Sequence, residues 1–240
     1  MTKKLAAILL GLTMVFSLAA CGNAEAGDNV SVDAGQTEQE SSEPETSDAE
    51  TNVESTESAE GAAEANESGN VLVAYFSRTG ENYGVGNIEK GNTAIIAEMI
   101  AEQTSGELFE IRTVDGYPES YDETVEIAQE ELNTGARPEL AENLESLDGY
   151  DVIFLGYPNW WGDMPMAVYT FLESHDFSGK TIIPFCTHAG SGLGSTEGSI
   201  ADTCSGAEVL DGFSIAGTTA QNEQEEARTA VTEFLQESGF

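Results

Sequence analysis

The chain has 240 residues and a formal net charge of −36, with 8 lysine and arginine residues against 44 aspartate and glutamate residues. This charge argues against nucleic acid as a partner and against direct docking on anionic lipid, because both are polyanions. Three cysteines and two histidines are too few to predict a metal site with conviction.

The first residues have the pattern of an export signal. Two lysines precede an apolar stretch that runs from Leu5 to about Phe16, and Leu18-Ala19-Ala20-Cys21 follows. This pattern predicts a signal peptide, residues 1–20, that is removed on export and does not remain as a spanning helix. The ending resembles the lipobox of bacterial lipoproteins. That resemblance implies a lipid on Cys21 and an extracytoplasmic location at the bacterial cell membrane, whereas the alternative is an ordinary signal with a chance cysteine.

Residues 21–70 have a different composition from the rest. From Gly22 to Asn70 there are 14 acidic residues in 49, without a lysine, an arginine or an aromatic residue. Such a segment cannot bury enough apolar surface to offset the entropy of ordering. We therefore predict a disordered, self-repelling tether that begins at the lipidated cysteine and holds the following domain away from the membrane.

Residues 71–240 are long enough for one α/β domain with its own core. They include 30 acidic and 6 basic residues, so the formal charge of this domain is −24. Two of its side chains, Cys186 and Cys204, could form a disulfide in an oxidising compartment or remain as two buried thiols, and both alternatives stay open.

The domain begins with a strand and a polar loop that together predict an anion site. Val71–Phe76 is wholly apolar, as in a strand buried on both faces of a parallel sheet. Hydroxyl residues and glycines follow, and helical spacing of apolar residues predicts a helix from about residue 92 to 104. Free N–H groups and the helix dipole converge at such a helix start. The loop matches neither the dinucleotide fingerprint nor the P-loop, so we predict a lone phosphate.

Strands and helices alternate along the rest of the chain. We expect strands over residues 107–112, 150–156, 180–186 and 207–215, and helices over residues 121–132, 166–173, 196–204 and 222–236. Leu140, Leu144 and Leu147 suggest another short helical stretch. This alternation requires crossover connections and therefore predicts a parallel sheet. Pro184 is unusual within its predicted strand because proline cannot donate a hydrogen bond to a neighbouring strand.

Two later loops also follow predicted central strands. The loop after residue 156 contains both tryptophans of the chain, Trp160 and Trp161, and the loop after residue 186 is polar and rich in glycine. In an open parallel sheet, ligands bind beyond the carboxyl ends of the strands, where the strand order reverses. With the strand order 2-1-3-4-5 the three loops surround one crevice, which suits a ligand with a phosphate and a flat aromatic group.

These stretches resemble the flavodoxin family. The matching segments are VLVAYFSRTG, GNTAIIAEMI, FLGYPNWWGDMPMAVYTFLE and KTIIPFCTHAGSGLG, which span nearly all of residues 71–240. The resemblance implies an α/β, doubly wound, five-stranded parallel sheet and FMN as the cofactor. The phosphate loop of the family is interrupted in this chain, because an insertion separates Ser77-Arg78-Thr79-Gly80 from Gly91-Asn92-Thr93.

The resemblance also implies the residues that contact FMN. On the phosphate side they are Ser77, Thr79, Asn92 and Thr93. On the side of the isoalloxazine ring, one wall comprises Pro158, Asn159, Trp160, Trp161 and Gly162, and the other comprises Thr187, His188, Ala189, Gly190, Ser191 and Gly192. Adjacent side chains in an extended loop point to opposite sides. We therefore expect one indole, that of Trp161 rather than Trp160, to stack on the ring while the other packs onto the domain.

Two classes of function remain open at this point. The first is an FMN redox protein with unidentified donor and acceptor, either an electron carrier or an FMN-dependent quinone-type reductase. The second is a non-redox lipoprotein that binds another phosphorylated or aromatic ligand in the same crevice. The chain has no second nucleotide fingerprint for a nicotinamide cofactor, which favours the carrier, and no constellation of catalytic residues can be built. The acidity should also hold the second reduction of the flavin at a low potential.

Overall fold

The structure is a computed structural model that describes residues 70–240. The predicted signal peptide, Cys21 and the predicted tether up to residue 69 lie outside the described residues. Within residues 70–240, no helix combines the length and the apolar character that crossing a bilayer requires.

Strands and helices alternate through the domain. The strands are β1 (Val71–Tyr75), β2 (Gly80–Asn82), β3 (Gly86–Ile88), β4 (Glu107–Glu110), β5 (Val152–Pro158), β6 (Thr181–His188), β7 (Glu208–Val209) and β8 (Phe213–Ala216). The helices are α1 (Asn92–Thr104), α2 (Tyr121–Thr134), α3 (Met166–Glu173), α4 (Thr196–Thr203), α5 (Gly217–Asn222) and α6 (Gln224–Glu237).

The main sheet is parallel and has the order β4-β1-β5-β6, followed by β7 and β8, which both pair with β6. This arrangement confirms the predicted doubly wound sheet and the order 2-1-3-4-5, except that the fifth strand is divided in two. The division lies beside Pro184. β7 pairs with Thr181 and Ile182, and β8 pairs from Phe185 onward. Because Pro184 has no N–H to donate, the neighbouring chain leaves the sheet there.

The sheet has a hydrophobic core on each face. Along β1, Val71, Val73 and Tyr75 pack into one core, whereas Leu72 and Ala74 pack into the other. Helices α1 and α6 cover the first face, and α3 and α4 cover the second. This two-sided burial explains the continuous apolar runs of the central strands, since neither face of a doubly wound sheet meets water.

One local prediction was wrong, and two elements were not predicted. The loop between β1 and α1 contains an antiparallel hairpin of β2 and β3, which was not expected. The stretch around Leu140, Leu144 and Leu147 is not helical, because its chain bonds instead to the segment after β4, where Ala141 N donates to Arg112 O at 2.8 Å. The last predicted helix, over residues 222–236, is confirmed as α6, and the short helix α5 that precedes it was not expected.

Candidate functional site

A cleft of about 310 Å³ lies at the carboxyl ends of β1, β5 and β6. Many of the predicted cofactor residues line it, namely Asn92, Pro158, Asn159, Trp160, Trp161, Thr187, His188 and Ala189. The other predicted residues lie nearby without lining it, namely Ser77, Thr79, Thr93, Gly162, Gly190, Ser191 and Gly192. The three loops therefore do meet at one edge of the sheet, as the predicted strand order requires.

The two halves of the interrupted phosphate loop pack directly on each other. Ser77 Oγ accepts a hydrogen bond from the N–H of Ala94 at 3.0 Å, so it caps α1 from a distant part of the sequence. Gly91 must be glycine, because a β-carbon there would lie 2.1 Å from Ser77 Oγ and 2.6 Å from Arg78 O. Thr79 is exposed, at the start of the hairpin.

Asn92, the first residue of α1, lines the cleft and has an unpaired side-chain acceptor. Among the described residues, its Oδ1 is the buried side-chain oxygen or nitrogen that has no hydrogen-bond partner. Its amide rests against Gly217, where a β-carbon would lie 2.4 Å from Asn92 Nδ2. An unpaired buried acceptor costs on the order of 1–3 kcal/mol. A ligand that donates a hydrogen bond to Asn92 would remove this cost.

Thr93 is buried and does not line the cleft. Its side chain is 1% exposed, and its hydroxyl lies 2.8 Å from the hydroxyl of Thr187 at the carboxyl end of β6. The Thr93 hydroxyl is therefore already paired inside the domain. What this residue offers at the cleft is its position in the first turn of α1, where N–H groups have no partner within the helix.

The tryptophan loop is a tight turn and not the extended segment that we expected. Trp160 and Asp163 exchange two backbone hydrogen bonds, of 2.9 and 3.1 Å. Trp161 and Gly162 between them have φ angles of 59° and 86°, as in a type I′ turn. Positive φ is uncommon for a residue as bulky as Trp161 and is found mainly at functional sites.

The turn directs the two indoles to different surroundings. Trp160 packs edge-to-face against Phe76 and Tyr117, with ring centroids 5.3 and 5.1 Å away. Trp161 is 52% exposed, and its Nε1 donates to Val125 O on α2 at 3.2 Å. Trp160 therefore anchors the loop, and Trp161 remains available at the cleft. Stacking of Trp161 on a flavin stays a prediction.

The second and third loops are bonded to each other. Asn159 donates from Nδ2 to Gly192 O at 2.9 Å and accepts from Gly162 N at 3.0 Å. Gly194 lies close to the same place, because a β-carbon on it would lie 2.6 Å from Gly162 O. Ser191 is exposed in this loop. Asn159 therefore sets the distance between the two predicted ring-binding loops.

His188 is a neutral residue of the cleft. Its Nδ1 accepts a hydrogen bond from Gly190 N at 2.8 Å, which places the proton of the neutral ring on Nε2. Burial lowers the pKa of His188, so the neutral form is favoured at pH 7.

Cys186 and Cys204 are both buried free thiols, and burial raises the pKa of each to about 12. Neither is suited to act as a nucleophile.

The cleft has a further wall that the sequence reasoning missed. It is formed by the hairpin and by one face of α2, with the lining residues Arg78, Asn82, Tyr83, Tyr121, Thr124, Val125 and Ala128. Tyr121, Val125 and Ala128 have helical spacing, so periodicity could have identified the face. It could not have shown that this face turns toward the cleft.

The family model described as flavodoxin matches residues 70–229. The chain belongs to the flavodoxin family. A protein of Bacteroides uniformis that is named as a flavoprotein is 31% identical, with a TM-score of 0.57, over 70% of this chain and 98% of that one. Another, from Bacteroides eggerthii, is 28% identical, with a TM-score of 0.54, over 68% of this chain and 96% of that one. No curated protein matches the chain significantly.

Membership in the flavodoxin family confirms two of the predictions. The family accounts for the doubly wound sheet, and it supports FMN as the cofactor. A flavoprotein of Lactobacillus acidophilus solved in complex with FMN is more distant, at 21% identity and a TM-score of 0.48, over 65% of this chain and 99% of that one. The individual contacts between this flavodoxin and FMN remain predictions.

Proposed function

We propose that this flavodoxin transfers electrons through FMN bound in the cleft, outside the cytoplasm and anchored to the cell membrane by a lipid on Cys21. The observation that supports the site best is the buried Asn92 Oδ1 that lacks a partner, at the start of α1 and at the edge of the cleft. A polar ligand with hydroxyl donors suits this position, and FMN has them in its ribityl chain.

The residues of the first loop fit the phosphate end of such a ligand. The N-terminus of α1 carries N–H groups that lack intrahelical partners, and the helix dipole favours an anion there. Ser77 already holds the loop against this turn through Ala94 N, and its hydroxyl hydrogen is free to be donated. Ser77 and the first-turn amides would thus hold the phosphate, and Asn92 would accept a hydrogen bond from the ribityl chain beside it.

The second and third loops fit the ring end. Trp161 offers an exposed aromatic face, and the loop that carries it is fixed through Asn159 and Trp160. His188 adds a neutral N–H donor, and Ala189 keeps that wall small. When bound, FMN supplies the electron-carrying ring. The protein binds it, orients it and leaves one edge accessible to a partner.

The cofactor can be tested directly on residues 71–240. The purified domain should be yellow, should bleach on reduction with dithionite and should regain its colour with the one-electron acceptor ferricyanide. Denaturation should release FMN and not FAD, because one helix N-terminus receives one phosphate and the cleft offers no site for an adenosine half. A domain that stays colourless after reconstitution with FMN would contradict the proposal.

The anchor is tested by Cys21→Ser. We expect the variant to leave the membrane fraction while its flavin spectrum stays that of the unchanged protein. A multiply acylated cysteine binds membrane firmly, whereas the acidic protein itself has no attraction to anionic lipid. A Cys21→Ser protein that still sediments with membranes would show that something other than the lipid holds it.

A further inference from the structure

The hairpin of β2 and β3 is attached to the start of α2. Glu81 N donates to Glu119 O at 2.8 Å, and the Glu81 carboxylate accepts from Tyr121 N at 3.3 Å. Gly80 has a φ of 79°, and a β-carbon on it would lie 2.8 Å from Glu119 O. The insertion in the phosphate loop is therefore packed against another part of the cleft.

Arg78 is a buried residue that stabilises the contact between the hairpin and the segment before α2. Its side chain is 9% exposed, and its guanidinium donates to three backbone carbonyls, those of Glu81, Pro118 and Glu119. Within residues 70–240, no carboxylate forms a salt bridge with it. Burial lowers the pKa of Arg78, which reflects the cost of keeping a cation away from water. That cost is offset by joining the hairpin to the segment before α2.

The two joined elements present a pair of tyrosines at the cleft. Tyr83 at the tip of the hairpin and Tyr121 at the start of α2 have ring centroids 6.1 Å apart with an interplanar angle of 43°. Tyr83 is 66% exposed and Tyr121 is 37% exposed, and both line the cleft. The loop after β6, in contrast, has no phenylalanine, tyrosine or tryptophan between Thr187 and Gly194. An exposed aromatic pair at a cleft marks a surface that a ligand covers.

We propose that Tyr83 and Tyr121 form a second aromatic wall for the flavin ring, with Trp161 as the first, and that Arg78 is the residue that positions this wall. The inference rests on the proposed function, because it concerns the same cleft. A flat ring has two faces, and the loop after β6 has no phenylalanine, tyrosine or tryptophan with which to cover one of them. The insertion in the phosphate loop supplies the missing aromatic surface, and Arg78 joins that surface to the phosphate end.

A comparison of two ligands distinguishes an effect on the aromatic wall from an effect on the phosphate site. Apoprotein is titrated with FMN and with riboflavin, which has the same ring and no phosphate, and tryptophan and flavin fluorescence give each Kd. Tyr83→Ala and Tyr121→Ala should each weaken both ligands by a similar factor, roughly three- to tenfold. Ile127→Ala, an exposed apolar residue of α2 that does not line the cleft, is the control and should change neither Kd.

Arg78 is tested as a positioning residue by Arg78→Gln. We expect weaker binding of both ligands and an altered visible absorption spectrum of bound FMN, because the tyrosines no longer hold their place against the ring. Adding Tyr83→Ala to Arg78→Gln should change the Kd by less than Tyr83→Ala does alone, as expected for residues that act through one contact. Tyr83 is exposed, so its variant folds even if Arg78→Gln does not.

The outcomes are distinguishable. If the unchanged apoprotein binds neither flavin, the proposed function fails and this inference fails with it. If the unchanged protein binds FMN and riboflavin while both tyrosine variants keep their affinities within twofold, the proposed function stands and the aromatic wall is overturned. If Tyr83→Ala weakens FMN but not riboflavin, the residue acts on the phosphate end and the assignment to the ring is overturned.

Discussion

The hydroxyl oxygens of Thr93 and Thr187 lie 2.8 Å apart inside the domain and join the first turn of α1 to the carboxyl end of β6. These residues belong to two different predicted site loops, and both side chains are almost fully buried. The hydrogen bond therefore sets how the phosphate side of the cleft sits relative to the ring side.

Thr187→Val should destabilise the domain because it leaves the buried Thr93 hydroxyl without its partner. The expected loss in the free energy of unfolding is about 1–3 kcal/mol. Urea denaturation of the apoprotein measures it. The double variant Thr93→Val/Thr187→Val removes both hydroxyls and should lose less than the two single variants added together. Simple additivity would show that the two hydroxyls are not paired in solution.

Gly217→Ala should weaken FMN without unfolding the domain. The new β-carbon would lie 2.4 Å from Asn92 Nδ2. The Asn92 side chain must therefore move away from the position in which we propose that it binds FMN. We expect the Kd for FMN to rise by roughly three- to tenfold, the value of one hydrogen bond. Gly198→Ala is the matched control, since its β-carbon meets nothing within 4 Å. Equal affinities of the two variants for FMN would show that Asn92 does not bind the ligand.

Alanine substitutions of the two tryptophans should have different effects. Trp161→Ala should reduce the quenching of flavin fluorescence and weaken FMN by on the order of 1 kcal/mol or more, because its exposed indole is available to the ring. Trp160→Ala should instead lower the melting temperature of the apoprotein, since it removes contacts with Phe76 and Tyr117. Full quenching and full affinity in both variants would contradict the role of the loop.

The buried thiols predict a loss of stability at alkaline pH. In the folded protein the pKa of both Cys186 and Cys204 is raised by burial to about 12, whereas the ordinary thiol value is 9.0. Above pH 9 the unfolded chain therefore binds fewer protons than the folded chain, and the free energy of unfolding falls as pH rises toward 12.

Urea denaturation between pH 7 and about pH 10.5 tests this expectation, which follows from the sign of the linkage. Iodoacetamide at pH 8 should leave both thiols unmodified in the folded domain and should modify both in urea. Cys186→Ala should make the decline above pH 9 less steep because it removes one of the two buried thiols that contribute to it. Rapid alkylation of the folded domain would show that the thiols are accessible and the premise is wrong.

Those features of this flavodoxin that depend on residues close together in the chain could be predicted from the sequence. The apolar runs around Val73 and Leu155 predicted strands buried on both faces. The bounds of α1 followed from the helical spacing of its apolar residues, and the position of α3 followed from Pro165 at its start. The parallel arrangement of the strands followed from their alternation with helices, and the meeting of three loops at one edge followed once the strand order 2-1-3-4-5 was assumed.

Features that depend on segments far apart in the chain could be seen only in the folded domain. The bonds of Arg78 to Pro118 and Glu119 span about forty residues and bring the hairpin against α2. The positive φ of Trp161 is imposed by its turn and by the bond to Val125, against the preference of a bulky residue. Local propensity depends only on interactions between residues close together in the chain. These features are instead stabilised by contacts that exist only after the sheet has formed.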